Sequence, residues 1–81
     1  MNPKVTDFPQ YRMLSNGKSF YKINDSRNFE EIQIIGSRKI KHTIEAKQYP
    51  EILKIQDLLN QKENQFVVIS EVEWNKQLSF L

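Results

Sequence analysis

The sequence predicts an α+β fold: a small curled antiparallel sheet of about five strands packed on one main helix, with a short C-terminal helix. Three observations point there. Asn16-Gly17 and Gly36 each interrupt stretches rich in β-branched and aromatic residues, which reads as two N-terminal hairpins. From residue 46 the apolar spacing shifts to threes and fours, the period of a helix. The stretch "ISEVEW" at 69–74 then opens a second helix directly after an apolar run.

Residues 1–9, with Pro3 and Pro9, show little periodicity and are expected to be a loose lead-in, with Phe8 placed to pin it. Residues 10–81 are expected to form a single α+β domain. In "YRMLSNGKSFYKIN" a two-residue type I′ turn at Asn16-Gly17 pairs Met13 with Phe20 and Arg12 with Tyr21. One face then carries Tyr11, Met13, Phe20 and Lys22, and the other Arg12, Leu14, Tyr21 and Ile23. Neither face is cleanly polar. The hairpin is therefore either covered on both sides or open to a partner on one.

After the polar break "NDSRN" come "FEEIQIIG" and "SRKIKHTIEA". A three-residue loop, Gly36 to Arg38, sets Ile34 opposite Ile40 and Ile32 opposite His42. That register separates an apolar face from a polar one and is the one expected. In "AKQYPEILKIQDLLNQKEN" the stripe of Ile52, Ile55, Leu58 and Leu59 marks the main helix, with Leu53 off the stripe. Pro50 suits its first turn, and Glu51 favours the same end. The run 66–69 reads as a short buried strand, placed centrally or at an edge. Ser70 and Glu73 form a capping box, and Ile69 staples onto Trp74. Trp74, Leu78 and Leu81 then share one side of the last helix.

Composition bounds the function. The chain has 81 residues, 38% hydrophobic and 27% charged, with no cysteine. Disulfides, thiolate nucleophiles and Cys-ligated zinc are excluded. No apolar run reaches the roughly 18 residues of a spanning helix, and the N-terminal stretch lacks an apolar signal core. The expectation is a cytoplasmic protein without a membrane partner. The net charge is +2. Residues 1–47 hold nine Lys/Arg and five Asp/Glu, whereas residues 48–81 hold three and five. The positive excess falls on the predicted hairpins.

No catalytic set emerges. His42 is the single histidine, and one titrating group makes no mechanism. Glu30 and Glu31 are adjacent in a strand and point to opposite faces. Glu71 and Glu73 are two apart on a helix and do not face each other. "DSRNFEE" lacks the spacing of a calcium loop, and two glycines cannot make a phosphate loop. No cofactor is expected.

The expected function is a small non-enzymatic accessory or protein-interaction domain, with a protein partner or self-association. The alternative is nucleic-acid binding by the basic and aromatic surface of the two hairpins. The candidate surface comprises Tyr11, Arg12, Lys18, Tyr21, Lys22, Arg38, Lys39, Lys41 and Trp74. With Met13 and Phe20 turned to the core, Tyr21 is the aromatic left for the outside.

Overall fold

A computed structural model describes residues 8–61 and 65–79. In chain order it contains β1 (Gln10–Leu14), β2 (Ser19–Ile23), β3 (Asn28–Ile35), β4 (Arg38–Glu45), α1 (Tyr49–Asn60), β5 (Phe66–Val68) and α2 (Glu71–Leu78). The strands form one five-stranded sheet in the order β4-β3-β2-β1-β5. Every neighbouring pair is antiparallel. The fold is α+β as expected.

Strand alternation sends consecutive residues to opposite faces, and both faces are covered. Tyr21, Ile23, Phe29 and Phe66 pack with Ala46, Ile55 and Leu58, joined at the margin by Phe8, Leu14, Ile44, Ile52 and Leu59. This is the α1 face. Phe20 and Ile32 pack with Trp74, joined by Tyr11, Met13, Ile34 and Ile69. This is the α2 face. The two mixed faces of the first hairpin thus have a simple cause: α1 covers one and α2 the other.

The first hairpin has the expected register, Met13 opposite Phe20 and Arg12 opposite Tyr21. Its turn differs. Gly17 has φ +75°, but Asn16 does not have a positive φ, so no type I′ turn forms. Instead the Gly17 N–H donates to Leu14 O at 2.7 Å, and Asn16 Oδ1 accepts from Lys18 N at 2.8 Å. The asparagine works through its side chain rather than through a left-handed backbone.

The second hairpin corrects the expected register. Gly36 and Ser37 form a two-residue loop, Ile34 lies opposite Lys39, Ile32 opposite Lys41, and Glu31 opposite His42. Gly36 has φ +62° and Ser37 is not left-handed, the pattern of a type II′ turn. A three-residue loop separates polar from apolar, which suits a sheet covered on one side. Here Ile32 and Ile34 bury against α2 while Phe29 and Ile44 bury against α1. A doubly covered sheet needs apolar residues on both faces.

In α1, Ile55 and Leu58 are buried, and Leu53 is exposed as its off-stripe position implies. Glu51 Oε1 accepts from the backbone N–H groups of Lys47 and Gln48 at 3.2 and 3.4 Å, satisfying donors at the helix start. The strand β5 is shorter than expected and not buried as a whole. It pairs only with β1, at an edge, leaving Val67 40% and Val68 56% exposed. Only Phe66 reaches the core. Ser70 Oγ accepts from Glu73 N at 3.1 Å, so the cap on α2 forms. The Glu73 carboxylate accepts from Gln77 Nε2 at 2.8 Å rather than completing the box. Leu78 is partly exposed, and Leu81 lies outside the described residues.

Candidate interaction surface

Three of the nine residues expected on an interaction surface are in the core. Arg12 is buried beneath α1. Its Nε donates to Leu58 O at 3.0 Å, Nη1 to Tyr11 O at 2.8 Å, and Nη2 to Gln10 Oε1 at 2.7 Å and Leu59 O at 3.5 Å. The guanidinium closes the negative end of the helix. Burial pushes its pKa down.

Tyr21 is also buried on this face. Its ring packs edge-on against Phe66 at 5.8 Å and tilted against Phe29 at 6.4 Å. Lys54 Nζ lies 5.2 Å from the Tyr21 and Phe66 ring centres, within cation–π range. Burial, with Glu31 nearby, pushes the Tyr21 pKa up to about 12. Trp74 is buried on the opposite face, its ring 6.4 Å from that of Tyr11. Tyr11 is half-buried, and burial followed by the charge of Glu71 raises its pKa. The basic residues and aromatics that alternate in sequence are thus divided between two faces, with their rings turned inward.

The remaining five are cations near the surface. Lys22 is half-buried between Tyr11 and Glu30 in the register of the α2 face. Lys41 Nζ meets Glu30 Oε1 at 2.9 Å, and Asn24 Nδ2 donates to Glu30 Oε2 at 2.9 Å. Burial opposes ionisation of Glu30, but Lys41 and Asn24 outweigh it and hold its pKa below the ordinary range. Lys39 Nζ donates to Gln77 Oε1 on α2 at 2.8 Å. Lys18 and Arg38 are exposed near the two hairpin turns. Lys18 O accepts from Ile34 N at 2.8 Å, which fixes it beside β3.

The structure draws attention to a different feature, the outer side of β4. This strand has eight residues and is outermost in the sheet. The Ala46 N–H donates to Arg27 O at 2.6 Å. With the β3–β4 register, that bond sets the parity of the ladder. Arg38, Ile40, His42 and Ile44 direct their backbone groups at β3. Lys39, Lys41, Thr43 and Glu45 direct theirs away from the sheet. The side chains alternate too: Ile40, His42 and Ile44 stand on the α1 face, and Lys39, Lys41, Thr43 and Glu45 on the α2 face. His42 Nε2 is 3.3 Å from Gln33 Oε1. Sequence reasoning missed Ile40, Thr43, Ile44 and Glu45 as surface candidates. The signal is the alternating run "KIKHTIE" at 39–45, whose alternation is legible in sequence but whose place at the border of the sheet is not.

Among the described residues no group of three or more His, Asp or Glu side chains is placed to hold a metal ion, and no concave pocket opens. No helix among them is long and apolar enough to cross a membrane. Comparison with protein-family models, curated proteins and solved structures finds no match to this chain.

Proposed function

We propose that this chain is a non-enzymatic protein-interaction domain that docks through the outer side of β4. One observation carries this reading. An eight-residue strand lies at the border of the sheet, and its lysines are held over the α2 face by Glu30 and Gln77. Edge lysines ordinarily discourage pairing by projecting past the strand. Here Lys39 and Lys41 bond back onto their own domain. A partner strand then meets outward amides and carbonyls, with Ile40 and Ile44 alongside. The opposite border offers only three residues in β5, too few for a comparable ladder.

The nucleic-acid alternative depends on rings that stack bases beside cations that meet phosphates. Tyr21 and Arg12 are buried, which removes two members of that surface.

The test uses wild-type and Thr43→Pro chains as baits in a lysate of the native cells, with and without nuclease. Proline at position 43 deletes an outward N–H and leaves the β3–β4 ladder intact. Protein retained by wild type, lost by Thr43→Pro and indifferent to nuclease supports the reading. Equal retention by both baits, or loss on nuclease treatment, contradicts it.

A further inference from the structure

Resting on that reading, we infer that the strand received by β4 is the β4 of a second copy of this chain. The two strands run antiparallel about a two-fold axis at His42 and join two five-stranded sheets into one.

Parity comes first. In an antiparallel ladder, residues whose backbone groups point at the partner exchange bonds with residues of the same kind. Lys39, Lys41, Thr43 and Glu45 must therefore pair among themselves, and a two-fold operation leaves only a few registers. An axis at Lys41 sets the two Lys41 side chains against each other. An axis at Thr43 sets Lys39 against Lys47, two like charges directly opposite each other.

An axis at His42 sets Lys39 opposite Glu45, Lys41 opposite Thr43 and Ile40 opposite Ile44, each pair occurring twice, and brings the two His42 rings, rather than two lysine ammonium groups, together on the axis. Side chains agree with this register. Lys39 is held by Gln77 on its own domain, and its ammonium charge faces the Glu45 carboxylate across the join. Among the described residues Glu45 meets Lys47, at 3.6 Å, with both groups well exposed. Such a pair yields readily. Lys41 Nζ and Thr43 Oγ1 already approach within one chain at 3.5 Å. On the other face, Ile44 packs against the core cluster beneath α1. Setting Ile40 and Ile44 across the axis continues that apolar cluster into the second copy.

The two-fold operation keeps like faces together, so α1 and α2 of each copy lie on the same sides of the joined sheet. The ladder supplies about eight backbone bonds. Its area falls near the lower limit of specific interfaces, about 1,200 Å². Association is therefore reversible and depends on concentration.

Sedimentation velocity over a wide concentration series tests the pairing on the purified full chain. Wild type should move from monomer towards twice the monomer mass. Thr43→Pro should stay monomeric with an unchanged circular dichroism spectrum. Lys39→Glu and Glu45→Lys should each weaken association about tenfold, and the double exchange should restore it. A wild-type chain that stays monomeric throughout, a Thr43→Pro chain that associates equally well, or a double exchange that regains nothing overturns the pairing. If purified wild type is monomeric while capture from lysate still depends on Thr43, self-pairing fails and the docking reading stands. If both effects are absent, both fail.

Discussion

Arg12 Nε donates to the carbonyl of Leu58 at 3.0 Å, so a buried strand residue closes the C-terminal end of α1. Its other donors reach Tyr11 O, Gln10 Oε1 and Leu59 O, and every one of these partners is a carbonyl oxygen. The charge is stabilised by the ends of peptide dipoles and holds β1 to the helix above it.

Replacing Arg12 by alanine removes the side-chain donor from the Leu58 and Leu59 carbonyls, leaving Leu58 O with the longer Gln61 N–H bond at 3.4 Å, and opens space beneath α1. The expected loss is about 2–3 kcal/mol in urea denaturation. Arg12→Lys should recover little of it, because a point ammonium cannot reproduce the fork of a guanidinium. Alanine at no measurable cost would show that water replaces the guanidinium freely.

Trp74 is the single tryptophan, and it fixes α2 to the sheet over Phe20 and Ile32. Trp74→Ala is expected to cost about 3–5 kcal/mol. In wild type, fluorescence should shift to the red together with loss of circular dichroism during denaturation. An earlier fluorescence transition would mean that α2 detaches as a separate unit.

Alkaline titration tests the burial of Tyr21. Its folded pKa stands at about 12, above the ordinary value of 10.0. Between these values the unfolded chain has lost the phenolic proton and the folded chain keeps it. Stability is therefore full below pH 10 and declines by about 2–3 kcal/mol as pH rises to about 12. The raised pKa of Tyr11 acts in the same direction. Tyr21→Phe should flatten most of this slope in denaturation curves recorded across that range. An unaltered slope would place its source elsewhere.

Gly36 tests the corrected turn. It has φ +62°, and an added Cβ would meet nothing within 4 Å. Gly36→Ala therefore reports backbone strain without a clash, and about 1–2 kcal/mol of destabilisation is expected. Gly36→Asn should be milder, since asparagine tolerates the left-handed region better. An alanine variant as stable as wild type would contradict the two-residue loop.

Local chemistry made the elements legible in sequence. Asn16-Gly17, the stripe Ile52–Ile55–Leu58 and the Ser70 cap all act over a few residues, and each stands where the spacing placed it. The errors share one origin, which is the assumption of a single covered face. It favoured a register that gathered Ile32, Ile34 and Ile40 on one side, although Ile32 and Ile34 bury beneath Trp74. It also left Tyr21 outside, although α1 covers it. Nothing local in "YRML" reveals a helix end packed above Arg12, so the sequence alone presents it as a surface cation. The alternation of 39–45 was visible, but its meaning depended on β4 being outermost, a property of the strand order.

Amide exchange at Thr43 tests strand addition at the outer side of β4 most directly. Its N–H points away from the domain, whereas the neighbouring His42 N–H points at β3. As protein concentration rises, exchange at Thr43 should slow while His42 remains protected throughout. A Thr43 amide that exchanges at the rate of an open chain at every concentration would contradict pairing between copies along this strand.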